Sequence, residues 1–276
     1  MHSPSRHGTK EPLTPGQVEE YAAFTRRLAA TAAEETLPRF RVPMAIENKN
    51  REAGFDPVTE ADRGAERAMR ALIEAHYPEH GIIGEEFGEK PSRCGLSWVL
   101  DPVDGTRAFI AGLPSWGTLI ALNDGTRPII GAVAQPYIGE LFLGISAGVV
   151  RGATLNDRPI RVRPCAGLDD AILSTTGLSW FTPAERAAYE TVESQTRLVR
   201  YGFDCYAYAV LAAGCLDLVV EAGLKTYDVQ ALIPLIEGAG GIISDWRGGD
   251  AQHGGRVVAA GDTRVHAAAL ELLAVT

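Results

Sequence analysis

Asp101-Pro102-Val103-Asp104-Gly105-Thr106 gathers two carboxylates, a proline, a glycine and a hydroxyl directly after the apolar run Trp98-Val99-Leu100. Such a run reads as a buried strand, and acids at its end lose solvation unless a cation or hydrogen bonds compensate them. A hard divalent ion is the simplest compensation. A second acidic pair, Glu85-Glu86, closes another apolar run, Ile82-Ile83-Gly84. Two strands that carry acids to their carboxyl ends predict one shared metal site and metal-assisted phosphate chemistry.

The spacing supplies detail. A turn between Asp101 and Asp104 points both carboxylates and the Val103 carbonyl at one place, an all-oxygen set suited to Mg²⁺. Gly105 and Thr106 then open a short helical segment whose N–H groups face a phosphate, and a glycine there permits close approach. Glu85 is a further candidate ligand, whereas Glu86 points elsewhere in an extended chain. Asp62 falls in the first turn of a helix that starts near Thr59, where an acid favours the positive helix end. Asp228 opens a later helix and reads locally as a cap. Asp204, before residues 205–213, reads either as a cap or as a substrate contact. Glu221 ends the apolar strand 218–221, a place where ligands commonly bind.

These residues need a scaffold. Thr14-Pro15-Gly16-Gln17 predicts a capping box that opens a helix with Val18, Tyr21, Thr25, Leu28 and Ala32 at helical spacing. A second helix runs over 59–76. Strands follow at 82–84, 98–100, 118–122, 128–135, 140–146 and 149–155, with turns at Asn123-Asp124-Gly125, Pro136-Tyr137-Ile138-Gly139 and Asn156-Asp157. This predicts an antiparallel sheet covered by two helices. After Pro164 strands (171–175, 197–201, 217–221, 241–244, 257–260) alternate with helices (183–195, 206–213, 228–239, 264–272), an α/β pattern. The expected organisation is a disordered tail over 1–13, an α+β half over 14–163 with most of the metal ligands, and an α/β half over 164–276. The polar segment 49–55, with Lys49, reads as a loop or mobile hairpin.

Composition narrows the function. The chain has 276 residues, 46% of them hydrophobic, enough for a sizeable core. A net charge of −9 argues against nucleic acid as a partner. It leaves room for a small phosphorylated substrate, since bound metal reverses the local field. No apolar run is long enough to span a membrane, and the polar start, with His2 and His7, lacks a signal peptide's apolar core. Cys94, Cys165, Cys205 and Cys215 form no C-x-x-C pair, so a reduced, cytoplasmic setting is expected. No G-x-S-x-G nucleophile motif is present.

Glu85-Glu86, the 101–106 run, and Asp228 with Glu237-Gly238-Ala239-Gly240-Gly241 together resemble the signature of the inositol monophosphatase-like phosphatases over residues 15–270. The resemblance implies a layered αβαβα sandwich, a homodimer and two or three Mg²⁺ ions, with lithium as an inhibitor. By it, Glu85, Asp101 and the Val103 carbonyl hold one ion. Asp101, Asp104 and Asp228 hold a second, and Glu85 helps hold a third. Thr106 and Asp62 orient and deprotonate the attacking water, and Lys49 lies in a loop that leans over the site.

Within that family, Arg107-Ala108-Phe109, Tyr227 before Asp228, and Asp204-Cys205-Tyr206-Ala207-Tyr208 resemble the histidinol-phosphate phosphatase branch. L-histidinol phosphate carries an ammonium and an imidazole, so its recognition calls for acids beyond the metal set, and Asp204 and Glu221 are the candidates. An inositol-1-phosphate or broad sugar-phosphate phosphatase is the alternative. A non-catalytic relative of the family would have lost a metal acid or the Thr106–Asp62 pair, and all of these are in place.

Overall fold

The computed structural model describes residues 13–43, 45–48 and 57–274. Lys49 and residues 1–12 of the expected tail lie outside them.

Helix α1 (Pro15–Thr36) opens with the expected capping box: the Thr14 hydroxyl accepts from Gln17 N–H, and the Gln17 side chain accepts from Thr14 N–H. Val18, Tyr21, Thr25, Leu28 and Ala32 form its buried stripe. Strands β1 (Glu47–Asn48) and β2 (Pro57–Val58) pair antiparallel and lead into α2 (Glu60–His76). Strands β3 (Gly81–Gly84), β4 (Gly88–Lys90) and β5 (Ser97–Asp104) follow, then the short α3 (Thr106–Ile110). The first sheet continues through β6 (Gly117–Asn123), β7 (Pro128–Gln135), β8 (Glu140–Ala147), β9 (Val150–Leu155) and β10 (Arg158–Pro159). Its order is β10-β9-β8-β7-β6-β5-β3-β4.

This sheet departs from the expected antiparallel pattern at one pair. β3 and β5 run parallel, Gly81 opposite Ser97 and Gly84 opposite Leu100. Both acid-bearing ends therefore emerge at the same edge. β4, a Gly-Glu-Lys edge strand, has no apolar alternation that could have announced it.

The remaining elements are β11 (Ile172–Thr175), α4 (Pro183–Glu193), β12 (Leu198–Tyr201), α5 (Asp204–Ala212), β13 (Leu218–Leu224), α6 (Thr226–Val229), α7 (Leu232–Gly238), β14 (Ile242–Asp245), β15 (Gly255–Ala260) and α8 (Thr263–Leu273). The second sheet has the order β12-β11-β13-β15-β14, and β12, β11 and β13 are parallel. The single helix expected over 228–239 is two helices, α6 and α7. Pro234 explains the break: it has no N–H to offer the Gln230 carbonyl, and it sits in the first turn of α7, where no such bond is needed.

Three apolar cores make five layers. α1 and α2 pack on one face of the first sheet through Leu28, Met69, Trp98 and Ile120. α5 and α7 fill the space between the sheets with Leu211, Leu235, Val133 and Val219. α4 and α8 cover the outer face of the second sheet with Tyr189, Val265 and Val220. The arrangement is the αβαβα sandwich expected. Gly131 and Gly144 lie opposite each other on β7 and β8, and a Cβ at either would collide with the Ala231 carbonyl or the Leu235 backbone. Their bare surface lets the α6–α7 segment, which carries Asp228, seat directly on the sheet.

Candidate active site

β5 does not turn after Leu100, as the spacing suggested; it continues through Asp104 with a register shift against β6 between Asp101 and Asp104. Pro102, which lacks an N–H, sits inside the irregularity, where no ladder bond is required of it. The bulge re-aims the chain, and Asp101 Oδ1 accepts from Val103 N–H at 3.1 Å. Beneath it, Phe109 and Trp116 pack edge to face at 4.8 Å, with Phe40, Ala61, Val103 and Ala108 around them. Trp116 is fully buried and belongs to this support.

Asp101, Asp104 and Asp228 converge, each offering a carboxylate oxygen within 4.8 Å of the others. Glu85 joins them from the turn after β3: its N–H donates to the Leu100 carbonyl, and its carboxyl is in hydrogen-bonding reach of Asp101. Burial first, then Glu85, Asp104 and Asp228, raise the Asp101 carboxyl well above the usual carboxylate range. Burial also raises Asp104, against hydrogen bonds from Cys205 and Gly105 that lower it; Asp228 is raised by burial and then by Asp104. Asp104 Oδ2 accepts from Cys205 N–H, the first turn of α5, at 2.6 Å. Asp228 lies three residues past the cap position of α6, and its Oδ2 accepts from Lys225 N–H at 2.6 Å. It is therefore a capping acid and a member of the cluster at once. Closely packed acids that raise one another's proton affinity, with oxygen as the donor throughout, fit a hard divalent cation.

Asp62 is similarly double. One oxygen accepts from Thr59 N–H and hydroxyl at 2.9 and 2.6 Å, completing the α2 capping box, and the other faces the Thr106 hydroxyl at 3.3 Å. The Thr106 hydroxyl also reaches the Val103 carbonyl at 3.0 Å. Gly105, at φ +79, precedes Thr106 in a left-handed conformation, and its N–H is directed to the Asp104 carboxylate.

Asp204 makes no capping bond; Phe203 holds the cap position and Asp204 adopts φ +47. A left-handed conformation is strained for a residue with a Cβ. It turns the carboxyl toward Gly105, where a Cβ would stand 3.0 Å from it. Burial, then Asp104 and Glu221, push Asp204 up to about 8, while Arg107 lowers it. Glu221 stands on β13, and its Oε1 accepts from Thr176 N–H at 2.7 Å and Thr176 hydroxyl at 2.8 Å. Burial pushes it up to about 7 despite those bonds.

Two supporting residues escaped the sequence reading. Glu66 is fully buried and accepts from Glu86 N–H at 2.7 Å, Phe87 N–H at 3.2 Å and Arg70 at 2.7 Å, fixing the turn that carries Glu85. Its signal was its place four residues after Asp62 and four before Arg70, on the helix's buried face. Thr176, which holds Glu221, carried no signal of its own. A separate cavity of about 610 Å³ opens at the amino ends of β11, β12 and β13, lined by Arg163, Cys165, Arg197, Asp217 and Arg264. It contains none of the clustered acids.

A sequence model of the inositol monophosphatase family matches residues 17–275. The chain is 42% identical over 272 residues to the chloroplastic bifunctional phosphatase IMPL2 of Arabidopsis thaliana, covering 95% of this chain and 77% of that protein. It is 33% identical over 236 residues to a histidinol-phosphatase of Mycobacterium tuberculosis, covering 84% and 90%. Among solved structures, an inositol monophosphatase of Zymomonas mobilis superposes with a TM-score of 0.83 at 42% identity, covering 93% of this chain and 98% of that one.

Proposed function

The chain belongs to the inositol monophosphatase family, and we propose that it hydrolyses L-histidinol phosphate to L-histidinol and phosphate with the help of Mg²⁺. The observation that carries the substrate is the second pair of acids. Asp204 and Glu221 stand beside the metal acids without belonging to that cluster, and they suit a leaving alcohol that carries an ammonium and an imidazole. The similarity to a histidinol-phosphatase supports the same reading. Inositol-1-phosphate is the second candidate, favoured by the 42% identity to an inositol monophosphatase.

In this reading Glu85, Asp101, the Val103 carbonyl, Asp104 and Asp228 hold the cations. Bound there, divalent ions neutralise the phosphate and lower the pKa of a water molecule. Thr106 Oγ1 would orient the attacking water, and Asp62 Oδ1, 3.3 Å from that hydroxyl, would take up the proton through it. Gly105 leaves room for the Asp204 carboxyl beside α3, and Asp204 and Glu221 hold the leaving group's amine. All four cysteines are free, which suits the reducing cytoplasm we assign to the protein.

The test is phosphate release from L-histidinol phosphate by chelator-treated protein, before and after Mg²⁺ is restored, with a lithium titration. The proposal expects no release without the ion, recovery with Mg²⁺ and inhibition by lithium. Full activity in chelator would refute it.

A further inference from the structure

Arg107 directly follows the Thr106 hydroxyl, and its guanidinium carbon lies 4.1 Å from the centroid of the Trp180 indole. The two residues come from different sheets: Arg107 opens α3 after β5, and Trp180 sits in the short turn Leu178–Trp180 after β11. That turn is pinned at both ends. Thr176 donates twice to Glu221, and Phe181 packs edge to face on Tyr189 and Trp246. Trp180 Cβ also comes within 3.8 Å of the position a Cβ would take at Gly223, two residues past Glu221. The charge of Arg107 acts on Asp204. The stacked pair therefore lies between neighbours of the two acids assigned to the leaving group, and Trp180 is 50% exposed. A large aromatic surface left open beside a polar site invites a flat or cationic partner.

We propose that Trp180, held in place by Arg107, is the wall against which the leaving group's ring packs, selecting phosphate monoesters whose alcohol carries a flat, cationic ring. This rests on the reading above that L-histidinol phosphate is the substrate. Asp204 and Glu221 supply carboxyl oxygens, which any amine satisfies; the indole adds a preference for a ring. Trp180 contacts the substrate, and Arg107 is a positioning residue that acts through it.

The experiment measures kcat and KM of the Mg²⁺-loaded enzyme for L-histidinol phosphate and for glycerol 2-phosphate, which has no ring. Loss of a cation–π contact lowers the kcat/KM ratio of the two esters by about tenfold. Trp180→Ala should produce that fall through the KM for histidinol phosphate, Trp180→Phe should restore most of it, and Arg107→Gln should fall between them. An unchanged ratio in Trp180→Ala, with the unsubstituted enzyme still preferring histidinol phosphate, overturns the role of Trp180 and leaves the substrate standing. Absence of histidinol phosphate turnover by the unsubstituted enzyme overturns the substrate assignment, and this one with it. Far-UV circular dichroism and the Trp180→Phe variant separate a folding defect from a lost contact.

Discussion

Replacing Glu221 by glutamine should stabilise the metal-free protein, and only at higher pH. Glu221 is 5% exposed, so solvent screens its charge little. Its carboxyl moves from 4.5 to about 7 on folding. An acid whose folded pKa is raised supports the fold fully below its unfolded pKa and loses that support as pH rises through the folded value. At pH 5 the folded protein keeps Glu221 protonated; at pH 8 it holds a buried carboxylate. From the two pKa values the penalty grows by roughly 2–3 kcal/mol between pH 5 and 8. Glutamine removes the charge while its amide oxygen still accepts from Thr176 N–H and hydroxyl. In chelator, the melting temperature of Glu221→Gln relative to the parent should therefore rise by roughly 4–10 °C more at pH 8 than at pH 5. Equal differences at the two pH values would refute the burial argument. A variant less stable at pH 8 would show that the hydrogen bonds, not the charge, dominate.

Three further outcomes follow from the site geometry. Asp104→Asn keeps an acceptor for Cys205 N–H but loses a charge from the cluster, so turnover should fall by at least about a thousandfold with the fold intact by circular dichroism. Retained activity would remove Asp104 from the ligand set. Thr106→Val should lower kcat by roughly 10²–10⁴ with Thr106→Ser recovering most of it, measured by phosphate release, if the hydroxyl between Asp62 and Val103 orients the water. Mg²⁺ at a hundredfold excess over its Kd should stabilise the protein by about 2.7 kcal/mol, seen as a raised melting temperature, and Asp101→Asn should shrink that gain.

What the sequence made legible was local. The capping box at Thr14 is fixed by side chains three residues apart, and it stands where those residues put it. The acids at the ends of apolar runs were equally visible, because burial of charge is a local contradiction. Parallel pairing of β3 with β5 was not visible, since it depends on contacts that no periodicity encodes. For Asp204, its place before a helix left cap and contact open; in the structure it takes a positive φ and its carboxyl packs against Gly105, which no local pattern encodes. The break between α6 and α7 could have been read from Pro234, but the apolar spacing of 228–239 masks it. Glu66 was hidden because an acid on the buried face of a helix reads as a pattern error until the turn it holds is known.

The most direct test of the account places L-histidinol phosphate and inositol-1-phosphate in one reaction with Mg²⁺ and follows both products over time. Such a competition reads the ratio of kcat/KM without separate calibration. The account predicts a preference of about a hundredfold for histidinol phosphate, roughly 2.7 kcal/mol of differential transition-state binding. Equal consumption, or preference for inositol-1-phosphate, would contradict the roles given to Asp204, Glu221 and Trp180.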